Sequence, residues 1–236
     1  MNSQLSQLTD RLTKAYGSRL VSIVLYGSGA DGSYEEKFSD LNVFCVLSCI
    51  TPVELAESEP IFKWWRDQGH PSPLLMTEDE AQTSTDSFPI EFHDMQERRK
   101  VLHGRDVIAG ITVERRHYRA QLEHQLRVML LRLRQRSAGV LSDRNALLKL
   151  CIDSVSTFCV LGRHALLIAG HQPTWNKRDV TTALGLALNA DMSPFHKLLD
   201  IRESKVAPQE VDPATLFGNY LSRIQELVTF VDRLQE

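Results

Sequence analysis

Leu5, Leu8 and Leu12 recur at three- and four-residue spacing, which predicts a short helix over residues 3–16 that stops at Gly17. The pattern then turns continuous and β-branched: "RLVSIVLY" (19–26) and "LNVFCVL" (41–47) predict two buried strands. Thr51, Pro52 and Glu54 supply an N-cap, a proline at the first helical position and a capping-box acid, so a helix is expected from there towards Gly69. "PLLMT" (73–77) predicts a short strand, and Thr77 with Glu80 repeats the capping box before a small helix. In "FPIEFHDM" (88–95) apolar and polar residues alternate, which predicts a strand, with Pro89 placing it near an edge or a strand start.

From about residue 113 the period becomes helical. Leu122, Leu126, Met129 and Leu133 form one stripe. The stretch 142–170 opens at a Ser142 cap, closes at Gly170, and is apolar over much of its circumference, as the central helix of a bundle would be. Further helices are predicted over 176–188, over 194–203 behind a Ser193 cap, and over 213–235 behind an Asp212 cap. No strand pattern and no internal repeat occurs in this half. The expected class is α+β: a small mixed-sheet α/β domain over residues 1–112, then an all-α helical bundle over 113–236.

Charge sharpens that division. The whole chain carries a net −3, which argues against a dedicated nucleic-acid or anionic-membrane binder. Residues 1–110 hold 10 Lys and Arg against 17 Asp and Glu, net −7; residues 111–236 hold 17 against 13, net +4. No charge-free apolar stretch approaches the length of a membrane span, and "MNSQLSQLTDRL" lacks the apolar region of a signal peptide, so a cytoplasmic protein with no membrane partner is expected. Cys45, Cys49, Cys151 and Cys159 lie in apolar segments without CxxC spacing and read as reduced, mostly buried thiols. An oligomer is compatible with all of this.

The chemistry concentrates in "LYGSGADGSYEEKFSDLN", where the first apolar run breaks and the second begins. Gly27, Ser28, Gly29 and Gly32 form a loop whose small residues let backbone N–H groups approach an anion, and the Ser28 hydroxyl adds a donor. Asp40 and Asn42 stand two apart at the entry to the second strand, so they share a face while Leu41 and Val43 turn to the core.

Together these residues resemble the signature of the nucleotidyltransferase superfamily related to DNA polymerase β and kanamycin nucleotidyltransferase. That signature is an apolar strand, Gly-Ser, a small-residue loop, and Asp-x-Asp or Asp-x-Glu opening the next strand. The match is close over residues 20–47, and a helical second domain is also the arrangement of kanamycin-nucleotidyltransferase-like members. The resemblance implies transfer of a nucleoside monophosphate from a nucleoside triphosphate such as ATP to an acceptor hydroxyl, with Mg²⁺ held by converging carboxylates. It assigns Gly27, Ser28 and Gly29 to the nucleotide and Asp40 to the metal. The acceptor is not specified: a small molecule, a protein side chain and an RNA end all fit.

Two positions depart from the pattern. Asn42 stands where the family has its second acid and brings an amide oxygen without a charge. Asp31 occupies a loop position where many relatives are basic. A catalytically weakened nucleotide-binding or regulatory, antitoxin-like module is therefore the alternative. The third acid is expected in "PIEFHDM". Strand alternation there favours Glu91, and Asp94 would serve if the strand ended or bulged.

Other polar residues have plainer readings. Arg116, Arg127 and Arg134 fall along one helical edge, and Glu123 four residues before Arg127 points to a salt-bridged solvated face. Arg163, His164 and His171 are expected to cap the carbonyls at a helix end. Trp64 and Trp65 read as one surface and one core residue.

Overall fold

The computed structural model describes residues 3–30, 41–114 and 118–234, and the chain divides into two compact units, Met1–Glu114 and Arg115–Glu236. In the first unit four strands form a sheet in the order β3-β2-β1-β4: β1 (Leu20–Tyr26), β2 (Asn42–Leu47), β3 (Leu74–Thr77) and β4 (Arg99–Gly104). β1 runs antiparallel to both β2 and β4, whereas β2 and β3 are parallel, so the sheet is mixed.

Both faces of the sheet are covered. Ile23, Leu25, Val43 and Cys45 pack against α1 (Ser3–Tyr16) and α2 (Pro52–Asp67), including Leu8, Leu12 and the fully buried Trp65. Val24, Phe44 and Val46 face the other way, onto Ala81 of α3 (Glu78–Thr83) and Phe92 and Met95 of α4 (Pro89–Glu97). This two-sided burial explains why β1 and β2 read as unbroken apolar runs. Both predicted capping boxes form, at Thr51/Glu54 and at Thr77/Glu80. Arg11 lies over the Trp64 ring at 4.2 Å while Trp65 is buried, the surface-and-core division expected for that pair.

The strand expected over 88–95 is a helix. Proline at the first helical position starts α4, Phe92 N–H donates to Phe88 O at 3.1 Å, and Phe92 and Met95 meet the core at helical spacing. The place beside β1 belongs instead to β4, "RKVLHG", a strand whose charged composition hid it from the hydrophobic pattern. β4 ends at Gly104, where φ is +74° and an added Cβ would lie 2.1 Å from Val21 O, so only glycine fits that approach.

The second unit contains no strand among its described residues. α5 (Tyr118–Ala138), α7 (Lys177–Leu188), α8 (Ser193–Arg202) and α9 (Pro213–Arg233) surround α6 (Arg144–Ile168). By length and composition α6 could cross a membrane, but Leu147, Cys151, Val155, Phe158 and Leu161 are buried within the bundle. Two caps differ from expectation. Asp143, not Ser142, caps α6 by accepting from the N–H groups of Asn145 and Ala146. Ser193 belongs to α8 itself, and its N–H and hydroxyl both donate to Asp191. Asp212 caps α9 as expected, accepting from Thr215 N–H.

Arg163 and His164 do not cap a helix end. Both are buried in α6: the Arg163 guanidinium lies 3.8 Å over the Trp175 ring and 3.1 Å from His164 Nε2, and the Tyr118 hydroxyl meets His164 Nδ1. On α5, Glu123 bridges Arg119 at 3.1 Å and Arg127 at 2.6 Å, the salt-bridged face expected there, while Arg116 lies outside the described residues. Burial raises the thiols of Cys45 and Cys151 to about 12 and that of Cys159 to about 11, which leaves them protonated and unreactive; Cys49 is exposed.

Candidate active site at the end of β1 and β2

Where β1 ends, the chain turns sharply through Gly27–Gly29. Gly27 takes φ +74°, a conformation that strains any side-chain-bearing residue, and its N–H donates to Arg98 O at 3.0 Å. Ala30 N–H closes the turn on Gly27 O at 3.0 Å. Those two donors are therefore occupied within the fold. Gly29 serves packing: an added Cβ would lie 3.1 Å from Leu41 Cδ2 and 3.5 Å from Leu25 Cδ1.

β2 returns antiparallel, with Asn42 directly opposite Tyr26. Leu41 and Val43 are buried in the core on the α1/α2 side, as the two-residue period required. Asn42 takes the opposite face, shared with Phe44 and Val46, and its Nδ2 lies 3.5 Å from where a Gly27 Cβ would stand. The carboxamide is thus held against the turn. Asp40, Asp31 and Gly32 lie outside the described residues.

Glu91 and Asp94 reach the same region from α4, which packs against the Gly27–Gly29 turn and on the Phe44 face of the sheet. Phe92 anchors this helix edge-on to Phe44, with ring centroids 6.1 Å apart. Because the segment is helical, Glu91 and Asp94 stand one turn apart on one side, so they are no longer alternatives on opposite faces. Both act on the Tyr26 phenol, whose pKa is pushed well up, first by burial and then by the charges of Glu91 and Asp94. Neighbouring His93 leans towards Glu97 at 3.9 Å.

Two partly buried polar side chains, the Tyr26 hydroxyl and the Asn42 carboxamide, have no hydrogen-bond partner among the described residues. The β1–β2 end therefore gathers one amide, one phenol and two carboxylates beside a glycine turn. Hard oxygen donors of this kind suit Mg²⁺ better than a soft or imidazole-seeking metal. Sequence reasoning missed Tyr26, which belongs to the apolar run by composition. The signal that could have found it is its position immediately before Gly27, at the end of the first apolar run.

No family model matches the sequence, and no curated protein does. Among solved structures, the chain is similar to spectinomycin adenyltransferase AAD(9) from Enterococcus faecialis, determined with ATP and spectinomycin. The two share 14% identity and a TM-score of 0.61 over 95% of this chain and 99% of that chain. The chain has the nucleotidyltransferase fold. The fold that the Gly-Ser and Asp-x-Asn motif implied is borne out, and the likeness spans the helical part as well as the sheet.

Proposed function

We propose that this protein is a nucleotidyltransferase, moving a nucleoside monophosphate from ATP or another nucleoside triphosphate to an acceptor hydroxyl with Mg²⁺. The observation that carries the reading is the juxtaposition, in a nucleotidyltransferase fold, of the left-handed Gly27 turn, Asn42 opposite Tyr26, and α4 presenting Glu91 and Asp94. In this reading Gly27, Ser28 and Gly29 cradle the phosphates. Asp40, Asn42 and Glu91 hold the metal, with Asp94 close enough on the same helix face to share that role. Bound there, Mg²⁺ would supply charge neutralisation at the phosphates. The chain's own part is to fix the ligand oxygens on rigid elements: Asn42 on a central strand, and Glu91 on a helix locked by Phe92. A small-molecule acceptor is supported by likeness to a protein solved with ATP and spectinomycin.

Asn42 favours a second reading, a nucleotide-binding or regulatory module with weakened turnover, because a carboxamide contributes no charge to the metal. One experiment separates the two: pyrophosphate release from labelled nucleoside triphosphates with Mg²⁺ or Mn²⁺ across a panel of acceptors, in wild type and Asn42→Asp. Asn42→Asp should tighten metal binding roughly tenfold or more and raise any transfer rate. Brisk transfer by wild type, with metal affinity unmoved by Asn42→Asp, would remove residue 42 from the metal site.

A further inference from the structure

Tyr26 is the residue at this site that neither the motif nor the fold accounts for. Its ring is partly buried against the cluster of Val24, Phe44, Phe92 and Met95, so the side chain turns towards α4. Its backbone pairs with Asn42 on one side and Arg99 on the other, which fixes it in the centre of the sheet one residue before Gly27. Packing accounts for the ring but not for the hydroxyl. A phenylalanine would fill the same space, and the hydroxyl has no hydrogen-bond partner among the described residues. A partly buried phenol without a partner among the described residues leaves an O–H donor that a ligand can take.

The surroundings say which kind of acceptor. Tyr26 stands one residue before the Gly27–Gly29 turn and opposite Asn42, and an ordinary phenol is neutral at physiological pH, so it meets any ligand there as an O–H donor. A neutral O–H donor forms its strongest hydrogen bond to an anionic oxygen. We propose that the Tyr26 hydroxyl binds the nucleotide directly, donating a hydrogen bond to a phosphate oxygen of the triphosphate. The proposal rests on the nucleotidyltransferase reading and adds to it a ligand-touching residue outside the Gly-Ser and Asp-x-Asn motif.

Tyr26→Phe isolates the hydroxyl, because the ring and its packing stay. Binding of ATP–Mg²⁺, of inorganic tripolyphosphate–Mg²⁺ and of adenosine alone would be measured by calorimetry in wild type and variant, with a thermal melt of each protein. The variant should lose about tenfold or more in affinity for both ATP and tripolyphosphate, the loss of one hydrogen bond to a charged group. Its adenosine binding and its melting temperature should not change. Unchanged ATP affinity overturns the proposal. Weakened ATP with unchanged tripolyphosphate also overturns it, by moving the contact to the base or sugar. A lowered melting temperature with equal loss of every ligand would make the hydroxyl a structural prop. If wild type binds neither ATP nor tripolyphosphate, the nucleotidyltransferase reading itself fails and this proposal falls with it.

Discussion

Asn42 and Arg163 are both polar residues set within apolar runs, and the two units treat them in opposite ways. Asn42 opens a central strand and sits half-buried beside a glycine turn, without a partner among the described residues. Arg163 lies in the middle of an apolar helix, 3% exposed, stacked on Trp175 and set beside His164, which in turn meets Tyr118. The difference follows from where each element can leave polarity. A strand end can carry an unmatched donor or acceptor, because water or a ligand reaches it. A bundle interior cannot, because a buried polar group without partners costs about 1–3 kcal/mol, and more for a charge. The unmatched Asn42 carboxamide belongs to the candidate site, and the matched Arg163, His164 and Tyr118 group belongs to the architecture.

The largest effect expected from breaking that contrast is at Phe92, which holds α4 to the sheet. Phe92→Ala should cost about 3–5 kcal/mol in urea unfolding. It should also remove metal-dependent nucleotide binding, because α4 presents Glu91 and Asp94. Phe92→Leu, which keeps most of the volume, should retain binding. Loss of stability in Phe92→Ala with binding intact would detach α4 from the site.

Glycines sharpen the comparison at a smaller scale. Gly104→Ala should cost about 3 kcal/mol, since the new Cβ meets the backbone carbonyl of Val21 on the neighbouring strand β1, and the backbone is left-handed. Gly162→Ala in α6 meets only the end of the Leu184 side chain, at 2.4 Å. Alanine's better helix propensity offsets part of that crowding, leaving a net cost of about 1 kcal/mol. Denaturation midpoints of the two variants would check the ranking, and a reversed order would show that the bundle is the stiffer unit.

The smallest effect is a titration. Glu54 accepts from the Thr51 N–H and hydroxyl and from Arg19 at 2.5 Å, and these bonds, the Thr51 hydroxyl foremost, hold its carboxyl down at about 2. Its folded pKa is therefore below the unfolded value, and the unfolded chain binds more protons in the interval between them. The stability it contributes is complete above an ordinary glutamate pKa of about 4.3 and is lost as pH falls towards 2. Urea midpoints measured down that interval should fall in wild type and flatten in Glu54→Gln. Parallel acid limbs would show that this capping box is not a proton-linked contact.

The sequence by itself determined the features that depend on short-range physics. Continuous β-branched runs specified β1 and β2, and Thr51/Glu54, Thr77/Glu80 and Asp212 specified helix starts, because a cap acts within one turn. The two-residue period put Leu41 and Val43 in the core and Asn42 on the opposite face, and the Gly-Ser motif announced the fold. What the sequence left open was decided by partners distant along the chain. "PIEFHDM" alternates like a strand but folds as a helix, because Pro89 starts one and "RKVLHG" takes the place beside β1. That exchange put Glu91 and Asp94 on one helical side, where strand alternation had set them apart. Tyr26 read as one more apolar residue until the sheet set it opposite Asn42 and α4 brought two carboxylates to its phenol. Arg163 and His164 read as a helix cap until Trp175 and Tyr118 closed over them. In each case a side chain's chemistry was written in the sequence, while its environment was set by residues many positions away, and the environment determines what a polar group can do.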